Sequence, residues 1–104
     1  MTVSASSLGH AVRHLEEGDW QAAHSIAQRD SSPMGCWAHG IVHLMEGDLE
    51  NAHYWYRRAR RALPGDVVVA SEVAALKRQL ETELHATLNM GSATTHRVSR
   101  RGGM

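Results

Sequence analysis

The fold of this chain is decided by two stretches of similar sequence, HLEEGDWQAAH at residues 14–24 and HLMEGDLENAH at residues 43–53. Seven of the eleven positions are identical, and the two stretches lie 29 residues apart (43 − 14). The same offset relates His10 to His39. A match of this quality indicates that the chain contains two copies of one structural unit.

The Glu-Gly-Asp triplet shared by the two copies predicts a tight connection between two helices. Its glycine, Gly18 or Gly47, suits the left-handed conformation that often follows the end of a helix. The aspartate that follows, Asp19 or Asp48, can cap the next helix by accepting a hydrogen bond from a free backbone N–H. A helix end directly followed by a helix start predicts a helical hairpin in each copy.

Further start and stop signals complete a prediction of five helices. Ser32 and Pro33 are residue types favoured at the N-cap and at the first helical position. The Leu-Pro-Gly-Asp run at residues 63–66 is suited to ending one helix and capping another. No segment bounded by turn signals alternates between apolar and polar residues as a half-buried strand would. We therefore expect an all-α fold with helices at about 5–17, 19–29, 33–46, 48–63 and 66–89.

The second copy resembles the tetratricopeptide repeat, in which a helical hairpin carries small and aromatic residues at fixed offsets. The residues at the spacings of that pattern are Gly40, Gly47, Ala52, Tyr56, Ala59 and Pro64. The signature tryptophan is displaced by one position, to Trp37, and the first copy keeps only Gly18 and Ala23 of the pattern, with Ala11 in place of the packing glycine. The chain is also similar to a group of small bacterial proteins with Glu-Gly-Asp and Asn-Ala-x-Tyr-Trp-Tyr-Arg-Arg-Ala segments, here residues 46–48 and 51–59.

This resemblance covers residues 5–64 and implies a fold and a mode of binding rather than a reaction. The implied fold has two antiparallel hairpins, at about 5–29 and 33–63, in a right-handed superhelix. A long capping helix at about 66–89 would follow them. The implied function is that of a scaffold for a protein or peptide partner, without catalysis and without a cofactor.

Length and composition fit a single small domain. The chain has 104 residues, no net charge and 42% hydrophobic residues. We expect the domain to cover residues 1–90 and a disordered basic tail to cover residues 91–104, which are rich in Gly, Ser and Arg. No apolar run reaches the roughly 18 residues of a membrane span. The single Cys36 cannot form an internal disulfide, and the N-terminus lacks signal-peptide features, so we expect a cytoplasmic protein that does not bind membranes.

The resemblance also predicts where a partner would bind. In stacked helical hairpins, the first helix of each unit lines the concave surface. The apolar residues that this register places there are Leu8, Val12, Leu15, Met34, Trp37, Ile41 and Leu44. Such a groove suits a protein or peptide partner, with Trp37 and Met34 as anchors. The alternative is that the last helix, or a second copy of the chain, covers the groove.

Histidines supply the alternative function, a module that binds a metal or a small ligand. His10 with His14, and His39 with His43, are spaced four residues apart, so each pair shares one face of a helix. Because the repeat places the pairs on corresponding helices, four imidazoles could converge on zinc, copper or nickel. The other interpretations are packing in the seam between helices, which we favour here, and a pH-sensitive contact.

Other chemistry receives less support from the sequence. Residues 54–61 interleave aromatic residues with arginines, but the absence of net charge makes a nucleic-acid partner unexpected. Cys36 has His39 three residues away, yet a lone cysteine in the first turn of an apolar helix usually packs in the core. The chain has no Gly-rich phosphate loop and no nucleophile elbow, so we expect no enzymatic activity.

The last predicted helix indicates self-association. It is longer than the hairpin helices, so its final turns would overhang and leave Leu80, Leu84 and Leu88 without an intramolecular partner. We expect a symmetric homodimer with these leucines in contact. Residues 1–56 carry two basic and seven acidic residues, whereas residues 57–104 carry nine basic and four acidic ones. This asymmetry favours an antiparallel arrangement of the two copies.

Overall fold

A computed structural model of the chain describes the backbone of residues 5–102 and the side chains of residues 7–86. The helices in this range are α1 (Ala5–Glu16), α2 (Trp20–Ala27), α3 (Pro33–Glu46), α4 (Leu49–Arg58) and α5 (Val69–Gly102). No strand occurs between residues 5 and 102, so the prediction of an all-α fold is confirmed. We refer to α1 and α2 as unit 1, and to α3 and α4 as unit 2.

The two units are connected internally in the same way. The triplet glycines have left-handed φ values, +81° at Gly18 and +85° at Gly47. The glycine N–H donates to the carbonyl three residues earlier at 3.1 Å in both units, and the aspartate N–H donates to the carbonyl five residues earlier at 2.8 Å in both. The carboxylates of Asp19 and Asp48 accept from the N–H three residues later, at 3.1 and 3.3 Å. The sequence repeat is therefore also a structural repeat.

The end of α4 differs from the prediction. The helix ends at Arg58, not near residue 63. Arg60 adopts a left-handed φ of +61°. Its N–H donates to the carbonyl of Arg57, and the N–H of Arg61 donates to the carbonyl of Tyr56, both at 3.0 Å. This is the closing pattern that the glycines form at the ends of α1 and α3. An arginine is an uncommon residue in this conformation, and so the sequence carried no signal for the stop.

Replacing Arg60 by glycine should therefore stabilise the fold. A left-handed conformation costs a non-glycine residue about 1–2 kcal/mol, and the greater freedom of glycine in the unfolded chain offsets part of that gain. We expect the free energy of unfolding, measured in urea, to rise by about 0.5–1 kcal/mol. The matched variant Arg58→Gly puts glycine inside the last turn of α4 and should lose a similar amount. A loss of stability in both variants would contradict the assigned conformation.

The bounds of α5 also differ from the prediction. The carbonyl of Val68 accepts the first helical hydrogen bonds, from Ser71 and Glu72 at 3.0 and 3.1 Å, so the helix does not start directly behind Asp66. Val67 and Val68 are β-branched, and such residues fit a helix poorly. The helix extends to Gly102, past the expected end at 89, because no proline interrupts it and an isolated glycine costs only about 1 kcal/mol. The disordered tail expected at residues 91–104 stays a prediction.

The helices pack in chain order, and α5 lies across both units. α1 packs on α2, α2 on α3 and α3 on α4, while α5 packs on both α1 and α3. The central buried residues of this core come from α1, α3 and α5: Leu8, Val12, Leu15, Trp37, Ile41, Val73, Leu76 and Leu80. None of the helices, over the residues described, is long and apolar enough to cross a membrane.

Candidate metal centre

The residues predicted to line a partner-binding groove lie largely under α5. The members that are less than 5% exposed are Leu8, Val12, Leu15, Trp37 and Ile41, whereas Met34 and Leu44 are half-buried. Of the two alternatives weighed from the sequence, cover by the last helix is the one that the structure shows. A partner would reach this surface only after α5 had moved away, and so partner binding in the groove stays a prediction.

Trp37, the expected anchor for a partner, is instead engaged by α5. Its indole N–H donates to the Glu72 carboxylate at 3.1 Å, and the Tyr56 hydroxyl donates to the same oxygen at 2.5 Å. The Arg61 guanidinium lies 3.4 Å from the centroid of the Trp37 ring. Burial, together with the bond to Glu72, raises the pKa of Tyr56 well above its ordinary value, and the hydroxyl remains a donor. Glu72 therefore connects α5 to both helices of unit 2 through hydrogen bonds.

The leucines assigned to a dimer contact do not share one environment. Leu80 is 4% exposed and belongs to the core, so the expectation that it lacks an intramolecular partner is wrong. The reason is that α5 still lies against α1 at this turn, where Leu80 lines a cleft together with Val12. Leu84 is 42% exposed, and Leu88 lies outside the residues with described side chains. A homodimer through α5 stays a prediction.

Three histidines from α2 and α3 converge between the two units, and we call them the histidine cluster: His24, His39 and His43. The Nε2 atoms of His24 and His39 are 3.1 Å apart. Each ring has one nitrogen that lies within 4.8 Å of a nitrogen of each of the other two rings. The His39 and His43 rings are roughly parallel, with centroids 5.2 Å apart, and the His24 ring meets both edge-on.

The set of histidines expected from the sequence is brought together only in part. His39 and His43 are in the cluster, but His10 is exposed on α1 and His14 lies half-buried on the same helix. Neither belongs to a group of potential metal ligands among the residues whose side chains are described. His24, which is not one of the four histidines expected from the sequence, takes their place.

The short connection between α2 and α3 fixes the relative position of the cluster members. Ser32 caps α3, with its hydroxyl accepting from the Gly35 N–H at 3.1 Å, and the Ser32 N–H donates to the Asp30 carboxylate at 2.9 Å. A side chain at Gly35 would overlap the backbone oxygen of Asp30, so glycine permits the loop to pass close to the helix. This packing places α2 beside α3 and His24 opposite His39.

His39 is the most deeply placed member of the cluster. It is 6% exposed, and its ring stacks on Trp55 of α4 with centroids 3.9 Å apart and an interplanar angle of 9°. Burial, reinforced by the neighbouring His24 and His43, lowers the pKa of His39 to about 4. The imidazole is therefore neutral at pH 7, the state in which histidine binds a metal.

His43 is oriented by a carboxylate. Its Nδ1 lies 2.8 Å from Glu46 Oε1, and in the neutral tautomer that donates this hydrogen bond through Nδ1, the lone pair is on Nε2. Carboxylates that fix a histidine in this way are the usual outer partners of metal-binding imidazoles. Asp48 also lies within 4.8 Å of His43 and Glu46. Its carboxylate caps α4, and hydrogen bonds from Asn51 hold the pKa of Asp48 below its ordinary value, which gives it a structural role.

Two other candidates from the sequence, Cys36 and the arginines of residues 54–61, make packing contacts in the structure. Cys36 is buried, and its thiol donates to the carbonyl of Ser31 with a sulfur-to-oxygen distance of 3.8 Å. Arg58 lies over the rings of Tyr54 and Trp55, at 5.7 and 5.4 Å from their centroids. These contacts account for packing at both positions.

No protein-family model, no curated protein and no solved structure matches this chain. The features described above therefore define its class directly, as a small all-α protein with an internal repeat and a histidine cluster between the two repeated units.

Proposed function

We propose that the protein is a metal-binding helical-repeat protein in which the histidine cluster binds one divalent transition metal ion, zinc foremost. The observation that carries the proposal is the convergence of three imidazole nitrogens within 4.8 Å on two packed helices. Imidazole is a preferred ligand of zinc, copper and nickel. The proposed role is binding without catalysis.

One separation within the cluster is close to that of two nitrogens on a bound ion. Two nitrogens that bind the same tetrahedral zinc at about 2.0 Å lie about 3.3 Å apart. The Nε2 atoms of His24 and His39 are 3.1 Å apart and within hydrogen-bond distance, and on metal binding each would give up this contact and present a lone pair to the ion. His43 would supply the third nitrogen from the adjacent turn of α3, and a water molecule would complete a four-coordinate site.

The chemical setting favours binding over simple packing. His39 is neutral at physiological pH and needs no deprotonation before it binds an ion. The Glu46 carboxylate would offset part of the positive charge of the ion through His43. The ion would join α2 of unit 1 to α3 of unit 2, which is the contact that stacks repeats in a tetratricopeptide-like superhelix. Metal binding would therefore stabilise the stacked arrangement of the two units.

The proposal predicts zinc uptake that depends on His24. In competition with a chromophoric chelator, dilute wild-type protein should bind about one zinc ion per chain. The free energy of unfolding should rise by about 2.7 kcal/mol when free zinc is 100 times the dissociation constant. His24→Gln should lose both effects, because only two imidazoles remain in the cluster.

The matched control is His53→Gln. His53 occupies the position on α4 that His24 occupies on α2, and it lies outside the histidine cluster. Dilute His53→Gln protein should therefore bind and be stabilised like the wild type. Equal zinc uptake by His24→Gln and wild type, or no uptake by the wild type, would overturn the proposal.

A further inference from the structure

We infer that the repeat encodes a second metal site between two copies of the chain, formed by His53 of one copy with His10 and His14 of another. This inference rests on the proposed function, because it assumes that the histidine cluster binds a metal. The intermolecular site would hold the same class of divalent ion. It would join the copies head to tail.

The repeat relates each member of the cluster to a second histidine. At the offset of 29 residues, His24 corresponds to His53, His39 to His10 and His43 to His14. The connections in both units have the same hydrogen-bond distances, so equivalent residues occupy equivalent places on their helices. α4 thus carries His53 as α2 carries His24, and α1 carries its histidine pair as α3 does.

The corresponding histidines lie on surfaces that a second copy can reach. His10 and His53 are exposed, and the side chain of His14 is 34% exposed. Glu17 Oε1 lies 3.9 Å from the Nδ1 of His14, which repeats the pairing of Glu46 with His43 at longer range. The second set therefore has the counterpart of Glu46 nearby, although at this distance the buried Nδ1 of His14 makes no hydrogen bond in the part of the chain described.

The packing of this chain indicates that a second copy binds the outer face of α4. Among the described helices, α4 packs on α3 and contacts α5 through the hydrogen bond from Tyr56 to Glu72, whereas its face with Leu49 and His53 is exposed. Leu49 on this helix is 55% exposed, whereas the equivalent Trp20 of α2 is half-buried and packs against the core. Within one chain, α2 is covered by α3, the first helix of the next unit. By the same relation, the first helix of another copy, its α1, would cover α4.

This arrangement differs from the homodimer through α5 that the sequence predicts. A head-to-tail contact uses two different surfaces, so it extends into longer assemblies unless it closes into a ring. It also requires metal, whereas a contact between leucines does not. The substitution Leu84→Glu distinguishes the two, because Leu84 lies on α5 and outside both sets of histidines.

Sedimentation velocity at high micromolar concentration, with zinc or with a chelator, tests the inference. Wild-type protein should be monomeric in chelator, and in zinc it should form assemblies that take up a second zinc ion per chain. His53→Gln should stay monomeric in zinc and keep the first ion. His24→Gln should still associate while binding one ion fewer, and Leu84→Glu should behave like the wild type.

A mixing experiment tests the direction of the contact. His53→Gln keeps the α1 histidines, and the double variant His10→Gln/His14→Gln keeps His53. Neither should associate alone, but a mixture in zinc should form a 1:1 dimer and nothing larger. A wild type that binds one ion and stays monomeric overturns this inference and leaves the proposed function intact. Association in zinc that survives His53→Gln overturns it as well, while failure of every chain to bind zinc overturns both proposals.

Discussion

Gly40→Ala should lower the free energy of unfolding by about 1–2 kcal/mol, measured by urea denaturation. A β-carbon at this position would lie 2.5 Å from Cδ1 and 2.8 Å from Cε1 of Tyr56. The ring cannot move aside, because Tyr56 is 1% exposed and its hydroxyl is bonded to Glu72. Overpacking of this kind costs about 1–3 kcal/mol and sometimes more, and the better helix propensity of alanine returns only about 1 kcal/mol.

Gly9→Ala is the matched control for this substitution. Gly9 lies within α1, and a β-carbon there would meet nothing within 4 Å, so the variant should gain up to about 1 kcal/mol. The repeat supports the explanation, since Ala11 and Ala27 stand where unit 2 has Gly40 and Tyr56. A small residue in place of the tyrosine removes the need for glycine. A Gly40→Ala protein as stable as the wild type would contradict the packing of α3 on α4.

Glu72→Ala should lower the free energy of unfolding by about 2–4 kcal/mol, because two hydrogen bonds to a charged acceptor are lost together. The Trp37 N–H and the Tyr56 hydroxyl both donate to this carboxylate, and both side chains are buried. Without it, two donors remain in the core with no acceptor. The loss should be accompanied by weaker docking of α5 on unit 2, seen as faster amide exchange in the first turns of α5.

A double-mutant cycle with Tyr56→Phe isolates this contact. The two substitutions should couple by about 1 kcal/mol or more, because Tyr56→Phe removes a hydroxyl donor that Glu72→Ala has already left without its acceptor. Glu81→Ala, an exposed position on the same helix, should change stability by no more than about 0.5 kcal/mol. Equal losses at Glu72 and Glu81 would show that the carboxylate does not fasten α5.

Helix bounds were predictable from the sequence wherever a local signal sets them. Gly18 and Gly47 mark helix ends in the sequence because the left-handed conformation favours glycine, and Asp19 and Asp48 mark the starts that follow. The end of α4 depends on an arginine in the same conformation, which no propensity indicates. The start of α5 depends on two valines that resist helix formation although they follow a good capping residue.

The groove shows which part of the tertiary structure the sequence could not predict. The register of the resemblance placed Leu8, Val12 and Trp37 on one surface, and in the structure they share one core. What the pattern could not specify was the occupant of that surface. The structure supplies α5, held by apolar contacts and by Glu72, a residue whose two donors lie 16 and 35 positions earlier in the chain.

The candidate site was predictable in part, for a related reason. The spacing of four residues identified His39 and His43 as neighbours on one helix face. Pairing them with His10 and His14 assumed that equivalent helices of the repeat lie side by side at these positions. In the structure, His24 of α2 completes the cluster, because helices that follow each other in the chain usually pack together. The sequence did carry a signal that His24 belongs to the repeat, because His24 follows Ala23 as His53 follows Ala52.

X-ray absorption at the zinc edge tests the central claim most directly. It should be recorded on zinc-loaded His53→Gln, which retains the histidine cluster and should be free of the intermolecular site. We expect three imidazole nitrogens at about 2.0 Å and an oxygen from water as the remaining ligand. The His24→Gln/His53→Gln protein, treated in the same way, should retain too little zinc to give the multiple-scattering signal of imidazole. Zinc surrounded by oxygen ligands alone, or a spectrum that His24→Gln leaves unchanged, would contradict the account.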